Sequence, residues 1–171
     1  MISTWIALAL AAAQPGAESA EELACIIEQI TPAEASEIAD NMIAGDSADT
    51  NDGGLLRYLE SCADRYAWDD ARMERITTLT LGVVGQREFG RRLIANGVDV
   101  AAIDGWFDAQ SEEFRTRAFF DLDESAQEDA VASLFAGPVS QAQGEAHSAL
   151  IAGYIASRVI ALRAAVDLPL D

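Results

Sequence analysis

The sequence predicts an all-α fold, a single-domain bundle of about seven helices around a long apolar C-terminal helix. Residues 141–166 are apolar almost all round a helical wheel and contain no proline. Elsewhere, apolar residues recur at helical spacing between residues that start and stop helices. Residues 76–84 have a strand-like composition, but no second strand candidate exists to pair with them, so helix is favoured there too.

The C-terminal helix divides into a bulky half and a small half. The bulky half, which we expect to fill the core, contains Leu150, Ile151, Tyr154, Ile155, Val159, Leu162 and Val166. The small half contains Ala149, Ala152, Gly153, Ala156 and Ser157, with Ile160 among them. Small side chains allow a second helix to come close, so this helix is predicted to be buried nearly all round.

The first 13 residues resemble a cleaved signal peptide. An apolar run from Trp5 ends at Ala11-x-Ala13, and the helix-breaking sequence Gln14-Pro15-Gly16 follows. The run lacks a preceding Lys or Arg, and the alternative is a buried first helix. Nine apolar residues are too few to cross a bilayer, which needs about 20. We therefore expect a periplasmic or secreted mature domain, residues 14–171, with no stable membrane insertion after cleavage.

Helix boundaries follow from capping patterns. Ser19 with Glu22, and Thr31 with Glu34, have the spacing of capping boxes, which predicts helices over residues 19–30 and from Pro32 to residue 44. A polar loop over residues 46–54 precedes the third helix. Residues expected at the starts of the later helices are Asp69, Asp99, Ser111 and Asp123. Helix ends are expected at Asn96-Gly97 and at Gly137-Pro138.

The charge of the chain is strongly negative. Acidic residues outnumber basic ones 29 to 11, which gives a net charge of −18. Residues 14–53 hold ten acids and no base, and residues 98–145 have a net charge of −9. Such a surface repels nucleic acid and anionic lipid, so neither is expected as a partner. It favours cations and basic proteins, and the alternative is that the charge serves solubility alone.

Two cysteines, Cys25 and Cys62, are predicted to form a disulfide. In an exported protein a single pair of cysteines is usually bonded, and closing this loop stabilises by about 4 kcal/mol on the chain-entropy model. The bond would connect the first and third helices. The alternatives are a reactive thiol or a soft-metal pair, but the sequence has no CxxC motif and no nearby His.

The segment from Asp49 to Glu60 partly matches a calcium-binding loop. Carboxylates, a glycine for the turn and a final Glu recur at the required spacing. However, Gly53 occupies a position where a ligand side chain belongs, and the preceding helix ends too early for an EF-hand. The favoured interpretation is an acidic connector whose Asp52 caps the third helix, so no metal site is predicted.

His147, Tyr154 and Arg158 lie on one line of the C-terminal helix, inside its bulky half. One interpretation is a polar pocket in which Arg158 binds an anionic ligand. The favoured alternative is an ion pair between Arg158 and an acid of a neighbouring helix, because an unpaired buried charge is costly. In that case His147 lies near the helix start and is solvated.

The remaining motifs point to no enzyme class. The basic cluster over residues 86–92 is either a docking patch or, as we favour, internally paired. The sequence contains no GxSxG, HExxH, Walker or Rossmann signature, and its single His excludes a multi-His metal site. We expect no cofactor. The favoured function is a non-enzymatic periplasmic protein-binding or envelope-structural module, ahead of a small anionic-ligand or cation binder and, third, an enzyme.

Overall fold

The computed structural model describes residues 17–44 and 54–166, and the regular secondary structure in these residues is entirely helical. The elements are α1 (Ala17–Ile27), α2 (Pro32–Ala44), α3 (Gly54–Tyr66), α4 (Asp70–Ala95), α5 (Val100–Ala109), α6 (Glu112–Arg115), a π-helical turn (Thr116–Phe120), α7 (Glu124–Ala136) and α8 (Gln141–Val166). The predicted all-α class, with a long apolar C-terminal helix, is confirmed. The predicted signal peptide, residues 14–16, nearly all of the loop predicted over residues 46–54, and the last five residues lie outside the described residues.

Most predicted helix boundaries are confirmed because they depend on local hydrogen bonds. The Thr31 backbone N–H donates to Glu34 Oε2 at 2.8 Å, and the Glu34 N–H donates in return to Thr31 Oγ1 at 3.3 Å. The four predicted N-cap side chains, those of Asp69, Asp99, Ser111 and Asp123, each accept a backbone N–H three residues ahead. Residues 76–84 lie within α4, a helix of 26 residues.

Two predicted helices differ from the structure. α1 begins at Ala17 and ends at Ile27 rather than at residue 30, so Ser19 lies inside the helix rather than at its cap. The Glu22 carboxylate is only 8% exposed and accepts hydrogen bonds from the side chains of Trp68 and Arg72. The helix predicted to start at Ser111 is divided, since a π-helical turn follows its first four residues.

The two 26-residue helices, α4 and α8, pack against each other along their length. Small residues make this contact possible. A Cβ added to Gly82 would lie 2.6 Å from the Ala161 backbone nitrogen, and one added to Gly85 would lie 2.3 Å from Ser157 Oγ. Any side chain larger than hydrogen at these two positions would push the helices apart.

This packing corrects the predicted orientation of α8. Tyr154 and Ile151 are buried as expected, but Leu150 and Ile155 are only partly buried. The side that faces α4 carries the small residues Gly153, Ser157 and Ala161 beside Tyr154, whereas Ala149, Ala152 and Ala156 are exposed. α8 is therefore not buried all round. Residues 141–165 are long and apolar enough to cross a membrane by length and composition, a property that core helices of soluble proteins share.

The other helices surround this pair. α1 and α3 pack together beside α4 around the buried side chains of Ile26, Leu59 and Ile76. α2 packs across α4 and α8. α5 contacts α8 through side-chain hydrogen bonds, and its Phe107 ring stacks on Phe119 of the π-helical turn with ring centroids 5.5 Å apart. These contacts place the polar side chains of α5 directly against α8.

Candidate functional site

The polar cluster between α5 and α8 is centred on Arg158. Its two terminal nitrogens donate to Asp104 Oδ1 and to Asp108 Oδ1, each at 2.5 Å. Asp104 and Asp108 lie one turn apart on α5, so both carboxylates face the same guanidinium. The ion pair expected between Arg158 and an acid of a neighbouring helix is therefore present.

Aromatic side chains complete this cluster. The Tyr154 hydroxyl donates to Asp104 Oδ1 at 2.7 Å, and the Arg158 guanidinium lies 5.0 Å from the centre of the Phe107 ring. Burial raises the pKa of Tyr154 to about 12, and its hydrogen bond to the Asp104 carboxylate acts in the same direction. The phenol thus stays protonated and donates at physiological pH.

The cluster contains only part of the predicted line of residues. Tyr154 and Arg158 meet at Asp104, but His147 is not bonded to them and lies where the backbone of α8 is non-helical (φ −130°, ψ 22°). Sequence reasoning missed Asp104 and Asp108, although their spacing of four residues on a predicted helix was a usable signal. Two carboxylates face one guanidinium, so the cluster is suited to joining helices and carries a net negative charge.

The basic cluster on α4 is paired within the fold. Glu88 is 5% exposed and accepts hydrogen bonds from Arg91 at 2.6 Å and from Arg92 at 2.8 Å. Arg92 also reaches α2, where it pairs with Asp40 at 2.6 Å and bonds Ser36. The hydrogen bond from Arg91 keeps the pKa of Glu88 below its usual value. The favoured intramolecular pairing is therefore present for Arg91 and Arg92, although the Arg91 side chain is still 66% exposed.

The predicted disulfide is present. Cys25 of α1 and Cys62 of α3 are bonded, with their Cα atoms 6.2 Å apart across 37 residues of chain. The Gln29 side-chain amide lies 3.4 Å from Cys62 Sγ and 2.8 Å from the Cys25 carbonyl oxygen, to which it donates. The bond joins α1 to α3 around α2, as the sequence predicted.

Side chains that bind metal ions are not grouped in the described part of the chain. In residues 17–44 and 54–166, no three His, Cys, Asp or Glu side chains are grouped so that they would hold a metal ion. The calcium-like segment lies mostly outside these residues, which include only its end at Glu60 on the exposed surface of α3. The calcium interpretation, which we did not favour, stays untested.

A shallow, open surface along the outside of α7, which we call the α7 groove, carries apolar side chains beside carboxylates. It is formed by one face of the helix, with Glu124, Gln127, Glu128, Val131 and Ala132. Val131 is 51% exposed. Before α7, Leu122 is 66% exposed and has a positive φ of 54°, a backbone conformation that is uncommon for leucine. Two large apolar side chains, those of Leu122 and Val131, are thus exposed to solvent at and before α7.

The chain matches none of the protein-family models, curated proteins or solved structures with which it was compared.

Proposed function

We propose that this chain is an exported, non-enzymatic helical protein that binds a basic protein partner in the periplasm or envelope. The observation that carries this proposal is the groove along α7, in which apolar side chains and carboxylates are displayed together. The polar groups of the Arg158 and Glu88 clusters are engaged in pairing helices. The acidic surface and the predicted signal peptide agree with such a partner and location.

The rim of the groove favours a cationic partner for a specific reason. Glu124 and Glu128 lie four residues apart on α7, so their carboxylates are neighbours on the helix surface. Like charges at this spacing destabilise a helix by roughly 0.2–0.5 kcal/mol. Neither carboxylate has an ion-pair partner among the described residues, although Glu124 benefits from the helix N-terminus. A Lys or Arg from a partner would relieve this repulsion.

The apolar side chains of the groove set a second requirement for the partner. Val131 and Ala132 provide apolar surface beside the carboxylates, so a complementary segment carries an apolar side chain next to its basic ones. The surface is small and open, which suits a weak interaction with fast, salt-sensitive association.

The test is binding with matched charge variants. The mature protein is used to capture periplasmic proteins, and the affinity for a captured basic protein is then measured by titration calorimetry. We expect Glu124→Gln/Glu128→Gln to weaken binding about tenfold, since two charge contacts are lost. Glu112→Gln/Glu113→Gln, on exposed α6, changes the net charge equally and should have little effect. Equal weakening by both pairs would show that the groove has no specific role.

Export has its own test. N-terminal sequencing of the native protein should begin at Gln14 or within a few residues of it. An intact Met1 on protein recovered from the cytoplasm would contradict the proposed location.

A further inference from the structure

The two cysteines of the disulfide differ in their access to solvent. Cys62 of α3 is completely buried, in the apolar cluster that also contains Ile26, Leu59 and Ile76. Cys25 of α1 packs against this cluster but is only partly buried. A dissolved thiol can therefore reach Cys25 while the chain is folded, whereas Cys62 is shielded by the core.

The Gln29 side-chain amide lies beside both sulfur atoms. Its Nε2 atom donates to the Cys25 carbonyl oxygen at 2.8 Å, and this bond identifies the nitrogen of the amide, because the amide oxygen cannot donate. The same Nε2 atom lies 3.4 Å from Cys62 Sγ and 4.0 Å from Cys25 Sγ. A disulfide sulfur is a weak acceptor, but a thiolate is charged, and hydrogen bonds to charged acceptors are roughly twice as strong as neutral ones. Gln29 is thus placed to stabilise a thiolate at Cys62.

Carboxylates border Cys25 on α1. Glu21 and Glu28 lie four residues before it and three residues after it, so the three side chains share one side of the helix. The Glu28 backbone N–H still donates to the Ala24 carbonyl oxygen at 3.0 Å, as in a helix, and both glutamates are exposed. Residues 14–53 contain no Lys or Arg. We therefore expect a negatively charged thiol to be repelled from Cys25 and a positively charged one to be attracted.

We propose that the Cys25–Cys62 bond is a site of reversible thiol–disulfide exchange with a thiol that carries no negative charge. The thiolate of this reagent attacks Cys25 Sγ and forms a new sulfur–sulfur bond there. The bond between Cys25 and Cys62 breaks, and its electron pair leaves with Cys62 Sγ, which accepts a hydrogen bond from Gln29. A second thiolate then attacks the sulfur of the bound reagent, which departs as a disulfide. Two electrons have passed from the reagent to the protein, and the two cysteines take up protons from water.

Contacts of α1 that do not involve the disulfide keep the two cysteines close after reduction. Leu23 of α1 is 3% exposed, and the neighbouring Glu22 carboxylate accepts hydrogen bonds from the side chains of Trp68 and Arg72. Cys25 therefore stays near α3, and the disulfide form of the reagent can restore the bond by the reverse steps. This exchange does not depend on the proposed partner at α7.

The position of attack is tested by brief reaction of the disulfide-bonded protein with cysteamine, a positively charged thiol, followed by acid quenching and peptide mapping. We expect the cysteamine adduct on Cys25 and a free thiol at Cys62, and an adduct mainly on Cys62 would overturn the proposal. The rate should be proportional to thiolate concentration and should change less than about twofold in urea too dilute to unfold the chain. A rate that increases with urea as global unfolding does would also overturn it.

The preference for charge is tested by comparing cysteamine with mercaptopropionate, which is negatively charged, at equal thiolate concentrations. Relative to a small uncharged disulfide, the protein should favour cysteamine about tenfold at low salt. This preference should decrease at high salt and in Glu21→Gln/Glu28→Gln. The same ratio of rates for the protein and the small disulfide would contradict the proposed class of thiol.

Gln29 is tested as a positioning residue with Gln29→Met, which keeps the length of the side chain but has no donor. It should slow reduction by cysteamine about fivefold, whereas Gln141→Met, on the exposed surface of α8, should have no effect. In Cys25→Ser, whose only thiol is Cys62, adding Gln29→Met should lower the thiolate absorbance about fivefold at one mildly alkaline pH. Equal rates for the two Met variants, or slower reduction without any loss of thiolate absorbance, would contradict the role of Gln29.

Discussion

On one side of α8, Gly153, Ser157 and Ala161 lie against neighbouring side chains and backbone, whereas Ala152 and Ala156, about a quarter to a third of a turn away, are exposed. The two faces have nearly the same composition. A helical wheel therefore cannot say which of them is packed. Their different surroundings show that small residues permit a close helix contact but do not specify where it forms.

The difference in packing between the two faces of α8 originates in α4. Gly82 and Gly85 give α4 a surface without side chains, and Ala161 and Ser157 of α8 fill it. Each helical glycine costs about 1 kcal/mol relative to alanine in helix propensity. The extra van der Waals contact along two long helices offsets that cost. Among the described residues, no such glycine surface lies against the exposed face of α8 that carries Ala152 and Ala156.

The largest change in the free energy of unfolding is expected when two consecutive residues, one on each face of α8, are substituted separately. Ser157 is completely buried, so Ser157→Leu inserts a large side chain into the α4 contact and should destabilise by about 3 kcal/mol. Ala156→Leu, one residue earlier and exposed, should change stability by less than about 0.5 kcal/mol. Urea unfolding at low micromolar concentration measures both. Similar losses for the two variants would mean that the faces are assigned wrongly.

Two arginines of α8, one paired and one exposed, provide a second comparison of stability. Arg158 is paired with two carboxylates and its side chain is 11% exposed, whereas Arg163 is exposed. Arg158→Met should destabilise by about 2–3 kcal/mol, below the value for fully buried pairs because Asp108 is half exposed. Arg163→Met should be nearly neutral. An Arg158→Met protein that melts at or above the wild-type temperature would instead indicate an anion pocket that is empty in the free protein.

Alkaline pH should cause a smaller and reversible loss of stability in the Arg158 cluster, through Tyr154. The pKa of Tyr154 is raised to about 12 by burial, so the folded state retains its proton longer than the unfolded state does. This contribution to stability is complete below pH 10 and is lost as the pH rises toward 12, by about 2 kcal/mol. The chain has no Lys to titrate in this range. Urea unfolding between pH 9 and 11.5 should show a decline that Tyr154→Phe reduces; an equal decline in both proteins would contradict the assignment.

Much of the fold could be predicted because its signals are local. The N-caps at Asp69, Asp99 and Asp123, and the bounds of α8, depend on residues within one helical turn of each other. The disulfide could be predicted from the number of cysteines and the expected compartment.

The remaining features depend on contacts between distant segments. The orientation of α8 is set by glycines about 70 residues earlier, and the sequence alone identified an acid as the partner of Arg158 but not Asp104 or Asp108. The π-helical turn at Thr116–Phe120 has no local signal, since its residues suit an ordinary helix. The turn lies beside Phe107 of α5, a tertiary contact that the local sequence of the turn does not indicate.

The close contact between α4 and α8 is tested most directly by replacing glycine with alanine at two positions, Gly82 in the contact and Gly105 outside it. A Cβ at Gly82 would lie 2.6 Å from the backbone of α8, whereas a Cβ at Gly105 of α5 has no neighbour within 4 Å. We expect Gly82→Ala to lower the free energy of unfolding by about 2 kcal/mol, because the helices must separate. Gly105→Ala should raise it by up to about 1 kcal/mol, the gain in helix propensity. Equal stabilisation by both substitutions would contradict the contact on which this description of the fold depends.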